Sequence, residues 1–337
     1  METNRIVSFS YIRAIACITI IVLHTVFSAI LIYGNQISMQ ANIISRIIVN
    51  NCMWAVPCFV MVTGALLLNP QKEIPIEKIF KKYIFRILMA LILFTFIFQI
   101  FDVIMNKESL SISVLIVWMQ KLFTATSWSH LWYLYLLIGL YLLLPFYRMI
   151  VKGSSEKEMT YLLIVYILFL SLLPLLNTTT WKTGFYIHES TIYPFYLFAG
   201  YYLLNRKNLK LYTIGLILST ICIGCLTYIR WMYAIEWLEN LWTYSSILVI
   251  IQSICFYGMM ISMKPVMNKV LLSIDTYSFG IYLIHMVGVR LILRYWNFNP
   301  YIHMPMVSFI GIIIGILAGS YGVIRILHCI PQVKKII

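Results

Sequence analysis

An arginine and a histidine, Arg13 and His24, interrupt an almost wholly apolar run from Ile6 to Tyr33, IVSFSYIRAIACITIIVLHTVFSAILIY. Eleven steps of about 100° bring both side chains to one helix face, about 16 Å apart along the axis. An arginine in hydrocarbon costs at least ~2.5 kcal/mol, so this face must turn towards other helices or a wet cavity. Neutral imidazole can take a proton from a hydroxyl near pH 7. A guanidinium suits a phosphate or a carboxylate. Each residue also has a purely structural reading: an interhelical hydrogen bond for His24 and snorkelling for Arg13.

A second polar stripe lies in SIDTYSFGIYLIHMVGVRLILRY. Asp275 and Tyr282, and Ser278 and His285, are i,i+7 pairs that share one broad face. Such a stripe belongs in the bundle interior. His285 falls towards the outer half, as His24 does, so the pair reads as one site. Arg290 and Arg294 follow near the outer end, as interface anchors or as contacts for an anionic acceptor. In SHLWYLYLLIGLYLLLP, His130 and Trp132 are expected at the outer interface. With Tyr282 and Asp275 they are the candidate acceptor contacts. Glu189, Glu236 and Glu239 in outer loops are further sugar contacts to consider. The turn NPQKEIPIEKIFKKYIFR is densely basic. Lys78, Lys81, Lys82 and Arg86 there suit anionic lipid or the 3′-phospho-ADP part of coenzyme A.

The elements that must position these groups are membrane spans. The chain has 337 residues, 62% hydrophobic and 11% charged, with a mean hydropathy of +0.90. A soluble domain carries about twice that charge. Candidate spans are 7–33, 44–68, 83–104, 130–150, 159–176, 191–204, 211–229, 243–262, 274–294 and 305–329. The expected fold is all-α: a polytopic transmembrane helix bundle of about ten spans, both termini cytoplasmic, forming one domain over 1–337 with no soluble domain. The segment 114–128 is too short to span and should lie at the outer interface. Trp128, Trp132, Trp231, Trp237, Trp242 and Trp296 are placed at outer boundaries as an aromatic belt.

The net charge of +14 follows membrane topology. Lysines and arginines such as Lys72, Lys81, Arg148, Arg206, Lys264 and Lys334 fall in turns on one side. The opposite turns hold only Lys107, Lys121, Lys182 and Arg230. That bias puts the basic side in the cytoplasm and argues against nucleic acid as a partner. The seven cysteines sit in or beside apolar segments and read as small hydrophobes. No Walker loop, GxSxG elbow, HExxH or cluster with metal spacing is present, so no metal is expected.

The ordered motifs resemble acyltransferase family 3, the bacterial membrane O-acyltransferases. Arg13-x10-His24 resembles the family's first-span pattern. VPCFVMVTGALL, HLWYLYLLIGLYLLLP, FYLFAGYYL and YSFGIYLIH are similar to its later motifs, in the expected order. Among subgroups the chain looks most like inner-membrane O-acetyltransferases of surface polysaccharides, such as the enterobacterial common antigen type. The resemblance implies transfer of an acyl group, acetyl by default, from cytoplasmic acetyl-CoA to a hydroxyl of a surface glycan or lipid-linked precursor. It implies no tightly bound cofactor. It assigns the family's histidine and arginine to His24 and Arg13, its basic element to Lys81, Lys82 and Arg86, and its YLIH histidine to His285. Three positions depart from the pattern: Ser10 replaces an aspartate, Tyr83 an arginine and Thr63 a serine. A small-solute or glycan transporter using the Arg13–His24 track is the alternative. A scaffold for a glycan-synthesis complex is a third reading.

Overall fold

The computed structural model describes residues 7–109, 111–176, 184, 188, 191–264 and 266–337. Inside lipid, an apolar run satisfies its backbone by coiling on itself, and no strand occurs among the described residues. The first half comprises α1 (Val7–Tyr33), α2 (Met39–Asn50), α3 (Ala55–Leu67), α4 (Phe85–Met105), α5 (Ile112–Thr124), α6 (Trp132–Leu142) and α7 (Leu144–Gly153). The second half comprises α8 (Glu156–Ile167), α9 (Ile192–Tyr202), α10 (Leu209–Met232), α11 (Ile247–Ser262), α12 (Lys269–Arg290) and α13 (Pro305–Leu327). Polar caps set several starts. Ser38 accepts from Ala41 N, Ser155 and Glu158 form a capping box, and Asn208 and Asn268 accept from the first turns of α10 and α12.

Among the described residues, eight helical runs are long and apolar enough to cross a membrane, and the bent pair Ser129–Leu142 and Leu144–Gly153 makes a ninth if it counts as one span. The 52° bend falls where Pro145 enters the first turn of α7. A proline there offers no N–H to the preceding turn, which breaks the axis. The remaining expected span, 191–204, is the 11-residue α9, with eight of its residues buried. Hydropathy scores a helix buried in protein and a helix bathed in lipid alike, so only the fold separates them. The helix expected at the interface is α5, only 13 residues long. It exposes Ile112, Ile116, Met119 and Phe123 along one side. Lys182 and Glu189 lie outside the described residues.

Two helix pairings organise the core. α1 and α12 run side by side in the same direction. Asn268 N donates to the Tyr11 hydroxyl near their starts, and the Tyr33 hydroxyl donates to Leu293 O at 2.7 Å beyond the end of α12. α3 and α9 approach more closely still. A Cβ at Gly64 would overlap the Leu197 carbonyl, and one at Gly200 would overlap the Met61 carbonyl. Small residues let helix backbones meet where lipid gives no hydrophobic drive to association.

Trp128 and Trp242, expected in a boundary belt, are instead buried, whereas Trp237 and Trp296 are exposed. All seven cysteines are unpaired, and four of them are buried.

Gly64→Ala forces two backbones apart and should destabilise the protein by about 1–3 kcal/mol. Gly139→Ala, whose new methyl meets no atom within 4 Å, should leave the melting temperature unchanged or higher. Thermal unfolding in detergent measures both.

Candidate active site

The α1–α12 pairing brings the two polar faces of the sequence together. Arg13 Nε donates to Asp275 Oδ1 at 2.6 Å and Nη2 donates to Oδ2 at 3.0 Å. This fork-to-fork geometry is the strongest form of the contact. The carboxylate side chain is only 2% exposed, while that of Arg13 is 29% exposed. About three turns further along, His24 Nδ1 and His285 Nε2 are 2.7 Å apart. Their rings stack with centroids 5.0 Å apart.

A third imidazole joins them. His130 was expected at the outer interface. The turn Ser129–Leu131 buries it instead, with its ring 5.3 Å from His285 and 6.3 Å from His24. The Tyr282 hydroxyl donates to the His130 carbonyl, so the stripe residue Tyr282 also holds that turn. Trp128 supports it from behind. Its ring stacks on Phe98 at 4.1 Å, and its Nε1 donates to Asp102 Oδ2 at 2.9 Å.

The backbone contacts assign the neutral tautomers. His285 Nδ1 lies 2.7 Å from the Tyr282 carbonyl, which can only accept, so this nitrogen carries the proton. His285 Nε2 is then an acceptor, and His24 Nδ1 donates to it. His24 Nε2 is left with a free lone pair. By the same reasoning His130 Nε2 donates to Leu283 O at 3.0 Å. The buried His130 Nδ1 finds no hydrogen-bond partner among the described residues.

Two cavities lie beside this cluster, and its histidines line only the smaller one. One, of about 620 Å³, is lined by Arg13, Tyr83, Arg86, Tyr133, Asp275 and Tyr282, among others. The other, of about 330 Å³, is lined by His24, Arg46, Asn50, His130, Trp132 and Tyr244, among others. Tyr282 lines the first, His130 and His24 line the second, and Tyr282 stands between them in contact with both His130 and His285.

The other expected residues fall unevenly. Trp132 lines the second cavity and is flanked by Tyr193 and Tyr244, each 5.7 Å away. Arg86 stands at the mouth of the first cavity, and its Nε donates to Ile336 O at 3.1 Å. Lys78, Lys81 and Lys82 are exposed outside that cavity, and Lys81 pairs with Glu77 one turn earlier. Tyr83, one of the departures from the family motif, lines the same cavity, as does Thr63. Sequence reasoning did not single out Tyr133, Tyr141, Arg46, Trp242 or Tyr244 as site residues. For the aromatic four the only signal was an aromatic-rich composition, which packing explains equally well; Arg46 carried the signal of a cation inside an apolar run. Glu239 does line the second cavity.

A family model described as an acyltransferase domain matches residues 6–325. The chain belongs to that family, acyltransferase family 3, and is a multi-pass membrane acyltransferase that works between an acyl donor and an acceptor. No curated protein and no solved structure matches it.

Arg13→Gln leaves a buried carboxylate without its guanidinium and should cost about 3 kcal/mol of stability. Asp275→Asn should cost less, because Arg13 can turn its charge to the cavity. Melting temperatures of the two variants give the comparison. Equal losses would contradict the asymmetric burial.

Proposed function

We propose that the protein is an O-acyltransferase of the bacterial cytoplasmic membrane. It moves an acyl group, acetyl by default, from coenzyme A to a hydroxyl of a surface glycan or a lipid-linked precursor. The observation that carries this reading is the position of His24. It lines one cavity and is hydrogen-bonded through His285 to the wall of the other.

The basic face of the molecule supports a cytoplasmic placement of the larger cavity, the side on which acetyl-CoA is found. Arg86 and Arg13 are the cations in its lining. Arg86 is the group placed to take a phosphate of the donor. Arg13 Nη1, which Asp275 does not engage, and the Tyr133 hydroxyl are donors available to the pantetheine arm. The exposed Lys78, Lys81 and Lys82 contribute a positive field at the entrance.

His24 Nε2 removes the proton from an acceptor hydroxyl held in the smaller cavity. The thioester end of the arm passes Tyr282 to reach that oxygen, which attacks the thioester carbonyl; the carbon–sulfur bond breaks, and the thiolate departs with the electron pair. The imidazolium proton then neutralises the thiolate. His285 works as the group that holds His24 in the reactive tautomer, the part a carboxylate plays in a serine triad. A hydrogen-bond-donor role for His285 towards the oxyanion would compete with its two existing contacts. The aromatic walls from Trp132, Trp242 and Tyr244 suit the apolar faces of a sugar ring. The resemblance to O-acetyltransferases of the enterobacterial common antigen type supports a glycan as acceptor.

Purified protein in liposomes, given acetyl-CoA and a glycan acceptor, tests the scheme. His24→Ala should lose about 10²–10⁴-fold in transfer rate while melting like the unmodified protein. Unchanged transfer would remove His24 from the mechanism. Solute flux that needs no acyl donor would point to a transporter instead.

A further inference from the structure

A third cavity, of about 380 Å³, opens beside the end of α12 and is not used by the proposed transfer. It is walled by α4, α5 and the last turns of the α12 segment. Arg290, Arg294 and Lys121 converge on it, with Gln99, Asp102 and Glu108. It lies at the Tyr33 end of α1, the face where cations are few. Three of them in one hollow is therefore a specific arrangement rather than part of the general basic bias.

The partners inside the cavity decide what it can take. Arg290 Nη1 donates to Asp102 Oδ1 at 2.8 Å, and Trp128 Nε1 uses Asp102 Oδ2. Both oxygens of that carboxylate are thus engaged. Lys121 Nζ donates to Gln99 Oε1 at 2.8 Å, which positions the ammonium but leaves its charge uncompensated. The same bond turns the amide nitrogen of the buried Gln99 into the remaining donor of that side chain. Arg294 has a ring contact with Tyr295, at 5.7 Å, and no carboxylate partner among the described residues. Glu108 stands at the rim and accepts from Asn106 at 3.3 Å. The interior is therefore rich in donors and poor in free acceptors, with two uncompensated cations against one rim carboxylate.

We propose that this cavity binds a phosphate-bearing group, with Arg294, Lys121 and Gln99 as its donors and the Arg290–Asp102 pair as its fixed floor. Phosphate is recognised by this combination of guanidinium, ammonium and amide donors. The same chemistry arrives from two sources, a lipid-borne phosphate or diphosphate and a free phosphate in solution. The lipid-facing side of α5, with Ile112, Ile116 and Phe123 exposed beside the cavity, favours a phosphate carried on an apolar tail. The site stands independently of the acyl-transfer scheme, since no residue of that scheme lines it.

Binding to full-length protein in detergent tests this, with inorganic pyrophosphate and farnesyl diphosphate as probes and intrinsic tryptophan fluorescence as the signal. Trp128 reports directly, because the Arg290 guanidinium lies 3.8 Å over its ring. Both probes should bind. Arg294→Gln and Lys121→Gln should each weaken binding by about tenfold. Lys264→Gln, which removes the same charge from a distant exposed site, should not. Tighter binding of farnesyl diphosphate than of pyrophosphate assigns a lipid-borne ligand, and equal binding assigns a soluble one. Absence of binding by either probe overturns the proposal. So does binding that Arg294→Gln and Lys121→Gln both leave unchanged while melting as the unmodified protein does.

Discussion

An arginine and a carboxylate cannot stand alone in an apolar layer, and the rest of the molecule is arranged around that constraint. Arg13 and Asp275 satisfy each other across α1 and α12. Their contact fixes how far one helix can slide along the other. From Arg13 to His24 is eleven residues and from Asp275 to His285 is ten, which at about 1.5 Å per residue are nearly equal climbs. Once the ion pair forms, the two imidazoles arrive at the same level facing each other. One electrostatic requirement thereby sets the geometry of a second, chemically different contact.

The remaining helices convert that seam into a site. α3 and α9 are drawn together by Gly64 and Gly200, and Val56, Phe59, Val62, Thr63, Leu66 and Leu67 of α3 line the larger cavity. The bent α6–α7 pair begins in a turn that sinks His130 beside the other histidines instead of leaving it at the surface. The lipid-facing sides of α10 and α13, by contrast, carry no polar stripe and contribute mainly apolar area. Polar residues in this chain are concentrated where helices face cavities, as the cost of exposing them to hydrocarbon requires.

Much of this was legible in the sequence because lipid imposes simple rules. Long apolar runs become helices, and the shared faces of Arg13 with His24 and of Asp275 with His285 follow from helical period. What stayed hidden depends on tertiary depth. His130 and Trp128 sit near the start of an apolar run, where hydropathy places a boundary, but the local turn and the Asp102 contact carry them inward. α9 has the composition of a span and the length of a core helix. Lys78, Lys81 and Lys82 were grouped with Arg86 by charge, and Lys81 and Lys82 also by the family resemblance. Helical rotation turns only Arg86 and Tyr83 towards the cavity. The cavities themselves are products of how the helices pack, which no single segment encodes.

The hydrogen bond between two imidazoles is the hinge of the account, and it is directly observable. Solid-state NMR of the protein in lipid, with its histidine ring nitrogens labelled, can detect coupling between two nitrogens that share a proton. The structure predicts one N–H···N pair, lost both in His24→Gln and in His285→Gln. The absence of such a pair, or its persistence in either variant, would contradict the arrangement on which the mechanism stands.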